Sequence, residues 1–220
     1  MQFLLLGVLG AATGMVMRRI VLLRRCGVAP AARRIYLRAA WLLGGSCYVA
    51  MAVQELILLA AGQLTWRNAL PLHLCSLMGL LTLPMLLTRR RLWWSVCLFL
   101  GIPGALMALL FPAVLDTPWP RLTQASFHLM HCCVLLAPLL PLSLGLRPRT
   151  TDAAAAGAFL LLTACVAAGV NALTGGNYLF LRQAPIAWMN RWGTGAWQGF
   201  IALAAAGVLA AEALLWKKLK

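Results

Sequence analysis

Five side chains capable of chemistry sit inside strongly apolar stretches of this sequence: Glu55, His73, Cys75, His128 and His131. A cysteine thiol becomes a nucleophile near neutral pH only beside a base or a positive neighbour, so Cys75 among histidines is a candidate to attack an acyl carbon. His73 and Cys75 are two residues apart in Leu70-Pro71-Leu72-His73-Leu74-Cys75. On a regular helix they point to nearly opposite sides, and His73 is a poor base for Cys75 unless Pro71 disturbs the first turn. His128 and His131 share a helix face at i, i+3, and His131, arriving from a separate segment, is the better partner. Attack on an ester leaves charge on the carbonyl oxygen, which calls for hydrogen-bond donors. Asn171, Asn177 or His73 could supply them, and Glu55 could orient a histidine and hold the imidazolium that forms. The plainer readings are a buried acid bonded to a neighbouring helix, interfacial histidines and a packing cysteine.

These residues need a scaffold, and composition says which kind. The chain has 220 residues, 63% of them hydrophobic and 10% charged, well below the ~25% charge of soluble domains. The expectation is all-α: a polytopic transmembrane helix bundle of about seven spans forming one integral membrane domain over residues 1–220. The apolar runs, near the ~20 residues that cross a bilayer, fall at about 2–17, 39–61, 69–87, 92–114, 122–145, 153–174 and 197–216. The first has no charge before it and is read as an uncleaved span, not a secretory signal. A basic loop, with or without a short interfacial helix, is expected over 18–38, and a kink near Gly101, Pro103 and Gly104. The connection 175–196 carries Trp188 and Trp192, which with Trp197 read as an interfacial belt. None of the seven cysteines forms a CxxC pair, so neither a disulfide framework nor a zinc knuckle is indicated.

Charge orients the bundle. The net charge of +15 sits in short loops, as topology determinants do, and does not read as a nucleic-acid surface. With the N-terminus outside, fifteen of the 19 basic residues fall on the inner side: seven in 18–38, then Arg89, Arg90, Arg91, Arg147, Arg149, Lys217, Lys218 and Lys220. Arg67, Arg121, Arg182 and Arg191 are left outside. The positive-inside rule therefore predicts N-out, C-in. On that topology Glu55, His73, Cys75, His128, His131 and Asn171 all approach the outer face, and intramembrane polar groups at one depth read as functional.

Three segments carry a resemblance. Leu70-Pro71-Leu72-His73-Leu74-Cys75, then Phe127 through His131, then Asn177-Tyr178-Leu179-Phe180-Leu181-Arg182 with Pro185, resemble the marks of the YwaF-like integral membrane proteins. The human relative of that family is the transmembrane acyltransferase that makes polyunsaturated ether phospholipids. The resemblance implies a catalytic cysteine and histidine, which map to Cys75 and His131; His128 is not part of the pattern. In layout the family is similar to the androgen-induced membrane proteins that hydrolyse fatty-acid esters, which implies acyl-ester chemistry more broadly.

The resulting expectation is an integral membrane lipid acyltransferase or transacylase. It would work through a Cys75–His131 dyad and a thioester at the extracytosolic face, without a cofactor. Membrane phospholipids or fatty acyl esters are its expected substrates, and Glu55, His73, His128, Asn171, Asn177, Tyr178 and Arg182 its supporting or substrate-binding residues. An outward site favours a phospholipid donor, or simple hydrolysis, over cytosolic acyl-CoA. The alternatives are an ester hydrolase with the same dyad, a metal site built from Glu55, His73, His128 and His131, and a heptahelical sensor or transport module. No lysine lies in any span, which excludes a retinal Schiff base, and no inverted repeat speaks for a transporter.

Overall fold

The computed structural model describes residues 2–112, 114–185 and 187–218. Lys220, counted above among the inner charges, lies outside them. The described chain is helical, in the order α1 (Gln2–Arg25), α2 (Ala29–Ala60), α3 (Leu74–Thr88), α4 (Arg91–Val96), a π turn (Cys97–Gly101), α5 (Ile102–Leu110), α6 (Pro120–Leu136), a 3-10 segment (Ala137–Leu144), α7 (Thr150–Thr174), 3-10 turns at Tyr178–Phe180 and Ala187–Trp192, and α8 (Thr194–Lys218). Six crossings are long and apolar enough to span a membrane, and α3 is a seventh, shorter apolar helix.

Two expectations are corrected. The basic stretch 18–38 is not a loop: α1 runs on to Arg25 and α2 begins at Ala29. Arginine is a good helix former, and its long stem lets the guanidinium reach the interface from inside a span. The chain reverses only over Cys26–Val28, where Gly27 takes a positive φ of 78°, and Pro30 fits the first turn of α2, where its missing N–H costs nothing. The third span is the other correction. Its helix starts at Leu74, and its 15 residues cover only about 22 Å, short of the ~30 Å hydrocarbon core. Residues 64–73 precede it as irregular backbone, with Trp66 75% exposed.

The expected kink falls at a π turn. Pro103 has no N–H to give the carbonyl four residues back, and the π turn ending at Gly101 is how the helix absorbs the loss. All five residues of the turn are buried. Its Leu98 and Phe99 belong to one core with Trp94, Met78, Met85 and Leu140. Trp94 donates its Nε1–H to the Pro138 carbonyl (2.8 Å), and Tyr36 of α2 donates to the Leu86 carbonyl of α3 (2.8 Å).

The two ends of the bundle differ in chemistry. At the basic end Arg24 donates to the Ser143 carbonyl. Arg91 there donates to the Arg147 carbonyl and pairs bidentately with Asp152, which also caps α7. The positive-inside rule predicts that this end faces the cytosol. At the opposite, outer end Gln63 donates to the Asp116 carbonyl and residues 64–73 meet the 175–185 segment. Large apolar side chains such as Leu4 (73% exposed) and Leu203 (76%) cover the outside of α1 and α8, as lipid contact requires. The protein is a multi-pass membrane protein.

Candidate functional site

Two glycines reveal how the helices align. A β-carbon at Gly101 would lie 3.4 Å from Val134 Cγ1 and 3.6 Å from Met78 Cγ, so Met78 of α3, Gly101 and Val134 of α6 share a level. One turn outward along each helix come Cys75, Gly104 and His131. A β-carbon at Gly104 would lie 3.2 Å from Leu74 Cδ2 and 3.7 Å from Cys75 Sγ. Gly104 therefore lies directly against the thiol, where any side chain would press on Leu74 and the sulfur.

Cys75 is the second residue of α3, after the N-cap His73, where helix N–H groups lack partners and the helix dipole favours a thiolate. Its side chain is partly buried. His131 is buried (3% exposed), with Phe127 against its ring at 4.1 Å. Its Nδ1 lies 2.7 Å from the Phe127 carbonyl. A carbonyl only accepts, so Nδ1 carries the proton and Nε2 keeps its lone pair, which has no hydrogen-bond partner among the described residues. No hydrogen bond joins Cys75 to His131.

The other expected site residues do different work. His128 is buried with Nδ1 2.6 Å from the Gln124 carbonyl. His73 is held between the rings of Tyr178 and Phe180, each 5.3 Å away. Tyr178, fully buried, accepts the Leu70 N–H on its hydroxyl (3.0 Å) and donates to the Trp66 carbonyl (3.0 Å). It satisfies the irregular backbone that leads into α3. Asn171 brackets Tyr178, its Oδ1 accepting the Tyr178 N–H (2.7 Å) and its amide donating to the Tyr178 carbonyl (3.0 Å). Asn177 accepts from the Arg182 and Gln183 N–H groups and donates to the Gln183 carbonyl. Leu179 and Phe180 both take φ of 54°, a region costing a side-chain-bearing residue ~1–3 kcal/mol. Trp197 is buried, and its Nε1–H donates to the Phe180 carbonyl (2.6 Å), so it braces this strained turn instead of joining the interfacial belt. Trp188 and Trp192 are exposed. Gly176 permits the close approach: a β-carbon there would stand 3.0 Å from the Arg67 carbonyl oxygen.

The amides of Asn171 and Asn177 are thus engaged in holding a loop. Glu55 lies on the exposed face of α2, away from the core stripe Cys47, Ala50, Ile57 and Leu58, and the structure does not bring it to the histidines. Among the described residues no three His, Cys, Asp or Glu side chains converge as a metal set. Arg182 lines a cavity of about 420 Å³ at the outer end, with Gln183, Asn190, Gly193, Thr194 and Trp197.

One polar residue on the core stripe has a signal that weighting by charge alone passes over. Gln54 stands seven residues after Cys47 and four after Ala50, and its Nε2 is buried without a hydrogen-bond partner.

The model of the TMEM164 family matches residues 2–216. No curated protein and no solved structure matches the chain. With one family model spanning the apolar helices, the irregular entry to α3 and the bracing turn, the protein belongs to the TMEM164 family.

Proposed function

We propose that this protein transfers acyl chains between membrane lipids through a thioester on Cys75, with His131 as base. The observation that carries the reading is the layer described above. A thiol in the first turn of a helix and an imidazole with an open Nε2 occupy one level, around a glycine that packs directly against the sulfur. The resemblance of three segments to the YwaF-like proteins, which implies a catalytic cysteine and histidine at these positions, supports the same pair.

The chemistry runs in two balanced halves. The Cys75 proton passes to His131 Nε2, and the sulfur attacks the carbonyl carbon of an ester-linked acyl chain. The C=O π pair moves to oxygen and then returns, breaking the ester C–O bond. The departing lipid alkoxide takes the proton from His131. A second lipid hydroxyl then gives its proton to His131 and attacks the thioester; the C–S bond breaks and the thiol is restored. Thiol and imidazole need only approach within hydrogen-bond reach when substrate closes the site, since such contacts are often long without it. The outer cavity at Arg182 suits a phosphate headgroup, because a guanidinium recognises phosphate oxygens by forked hydrogen bonds, and a donor drawn from the outer leaflet of the cell membrane fits that placement.

The test is lipid mass spectrometry on cells holding wild type, Cys75→Ala or His131→Ala at equal membrane levels. Wild type alone should redistribute acyl chains among phospholipids, and the products identify donor and acceptor. Release of free fatty acid in place of new phospholipid would make the protein a hydrolase. Redistribution by both variants at the wild-type rate would remove the dyad.

A further inference from the structure

We propose that the side-chain amide of Gln54 is the oxyanion donor of this site. The inference rests on the acyl-transfer reading and adds a catalytic residue to it.

Gln54 reaches the reacting level by register. On α2, Met51 lies against Gly79 of α3, with its Sδ 2.6 Å from where a β-carbon at Gly79 would stand. Tyr48 donates to the Leu80 carbonyl (2.6 Å), so the two helices run antiparallel in contact. One turn outward from Met51 is Gln54; one turn outward from Gly79 are Cys75 and Ser76. Gln54 also falls on the buried stripe of α2, between Ala50 and Leu58. That helix packs against both α3 and α6, the carriers of Cys75 and His131.

The amide is in an unusual state. Its Nε2 is buried and has no hydrogen-bond partner, whereas buried donors are nearly always paired. An unmet donor at this depth costs stability, and the cost has a use if an acceptor arrives with substrate. The other amides expected to serve, those of Asn171 and Asn177, already donate to loop carbonyls. When the Cys75 sulfur adds to an acyl carbon, the new C–S bond forms and the carbonyl π pair moves to oxygen. The Gln54 N–H donates to that oxygen and keeps its proton throughout. The donor is buried beforehand, in a water-poor setting where such a bond contributes most.

The full-length protein in phosphatidylcholine vesicles tests this with two probes. One is p-nitrophenyl decanoate, whose acyl transfer to Cys75 releases p-nitrophenolate. The other is iodoacetamide, which alkylates a thiolate by displacement and develops no oxyanion. In Gln54→Met, which keeps the bulk and removes the donor, Cys75 acylation should slow about 10²–10³-fold while alkylation stays within about twofold. The unfolding midpoint should hold or rise, since an unpaired polar atom has gone. Acylation at the wild-type rate would overturn the proposal, and so would an equal fall in alkylation or a lowered midpoint, either of which makes Gln54 a structural residue. A wild type with no Cys75-dependent burst removes the acyl-transfer reading itself, an outcome separate from a normal wild-type burst that Gln54→Met leaves unchanged.

Discussion

A thiol and an imidazole do chemistry here only if an acyl carbon can come within ~3–3.5 Å of the sulfur, and the residue that governs this has no side chain. Gly104 lies against the flank of Cys75; an alanine methyl would sit 3.7 Å from Sγ and 3.2 Å from Leu74 Cδ2. Gly104→Ala is therefore predicted to lower turnover at least ~10-fold by crowding the attacking atom. In a helix interior the same change is worth up to ~1 kcal/mol in favour of folding, so the unfolding midpoint should not fall. Full turnover in that variant, measured beside its thermal unfolding, would show that the space beside the thiol is not the route of the substrate. The contrast between Glu55 and Gln54 belongs to this scale too. Neighbours in sequence lie about 100° apart around a helix. The carboxylate draws attention because an intramembrane charge is expensive, yet the amide is on the buried stripe.

At the scale of elements, the late start of α3 leaves before it a stretch of irregular backbone that must be satisfied by other segments. Tyr178 does so through two hydrogen bonds to residues 66 and 70. Tyr178→Phe leaves the Leu70 N–H and the Trp66 carbonyl without that partner. It is predicted to destabilise the protein by about 1–3 kcal/mol and to reduce turnover by loosening the entry to Cys75. An unchanged midpoint and rate would show that the Tyr178 hydroxyl is dispensable to the α3 entry. The all-helical bundle was legible from apolar run length, and an irregularity near Pro103 from proline chemistry. The start of α3 was not, because Ala69-Leu70-Pro71-Leu72 is as apolar as a span and hydropathy does not distinguish helix from covered loop. The basic stretch 18–38 misled for the opposite reason: arginines mark a membrane boundary without ending a helix. The role of Asn171, Asn177 and Trp197 in holding one strained turn depends on contacts made after the chain folds back, which periodicity does not carry.

The described molecule is a bundle with a basic end and an opposite end, and the candidate site lies nearer the opposite one. An epitope at the N-terminus of the protein should be labelled on intact cells and one at the C-terminus only after permeabilisation; the reverse pattern would turn the site toward the cytosol and admit soluble acyl donors. The central claim, however, is covalent. Wild-type protein purified from its membrane, quenched in acid and digested, should yield the Cys75 peptide carrying a fatty-acyl mass that neutral hydroxylamine removes. The His131→Ala protein should yield that peptide unmodified, for want of a base to form the thiolate. An unmodified Cys75 in the wild type under conditions where lipid acyl chains are being exchanged would contradict the account, because the transfer would then proceed without the thioester on which it rests.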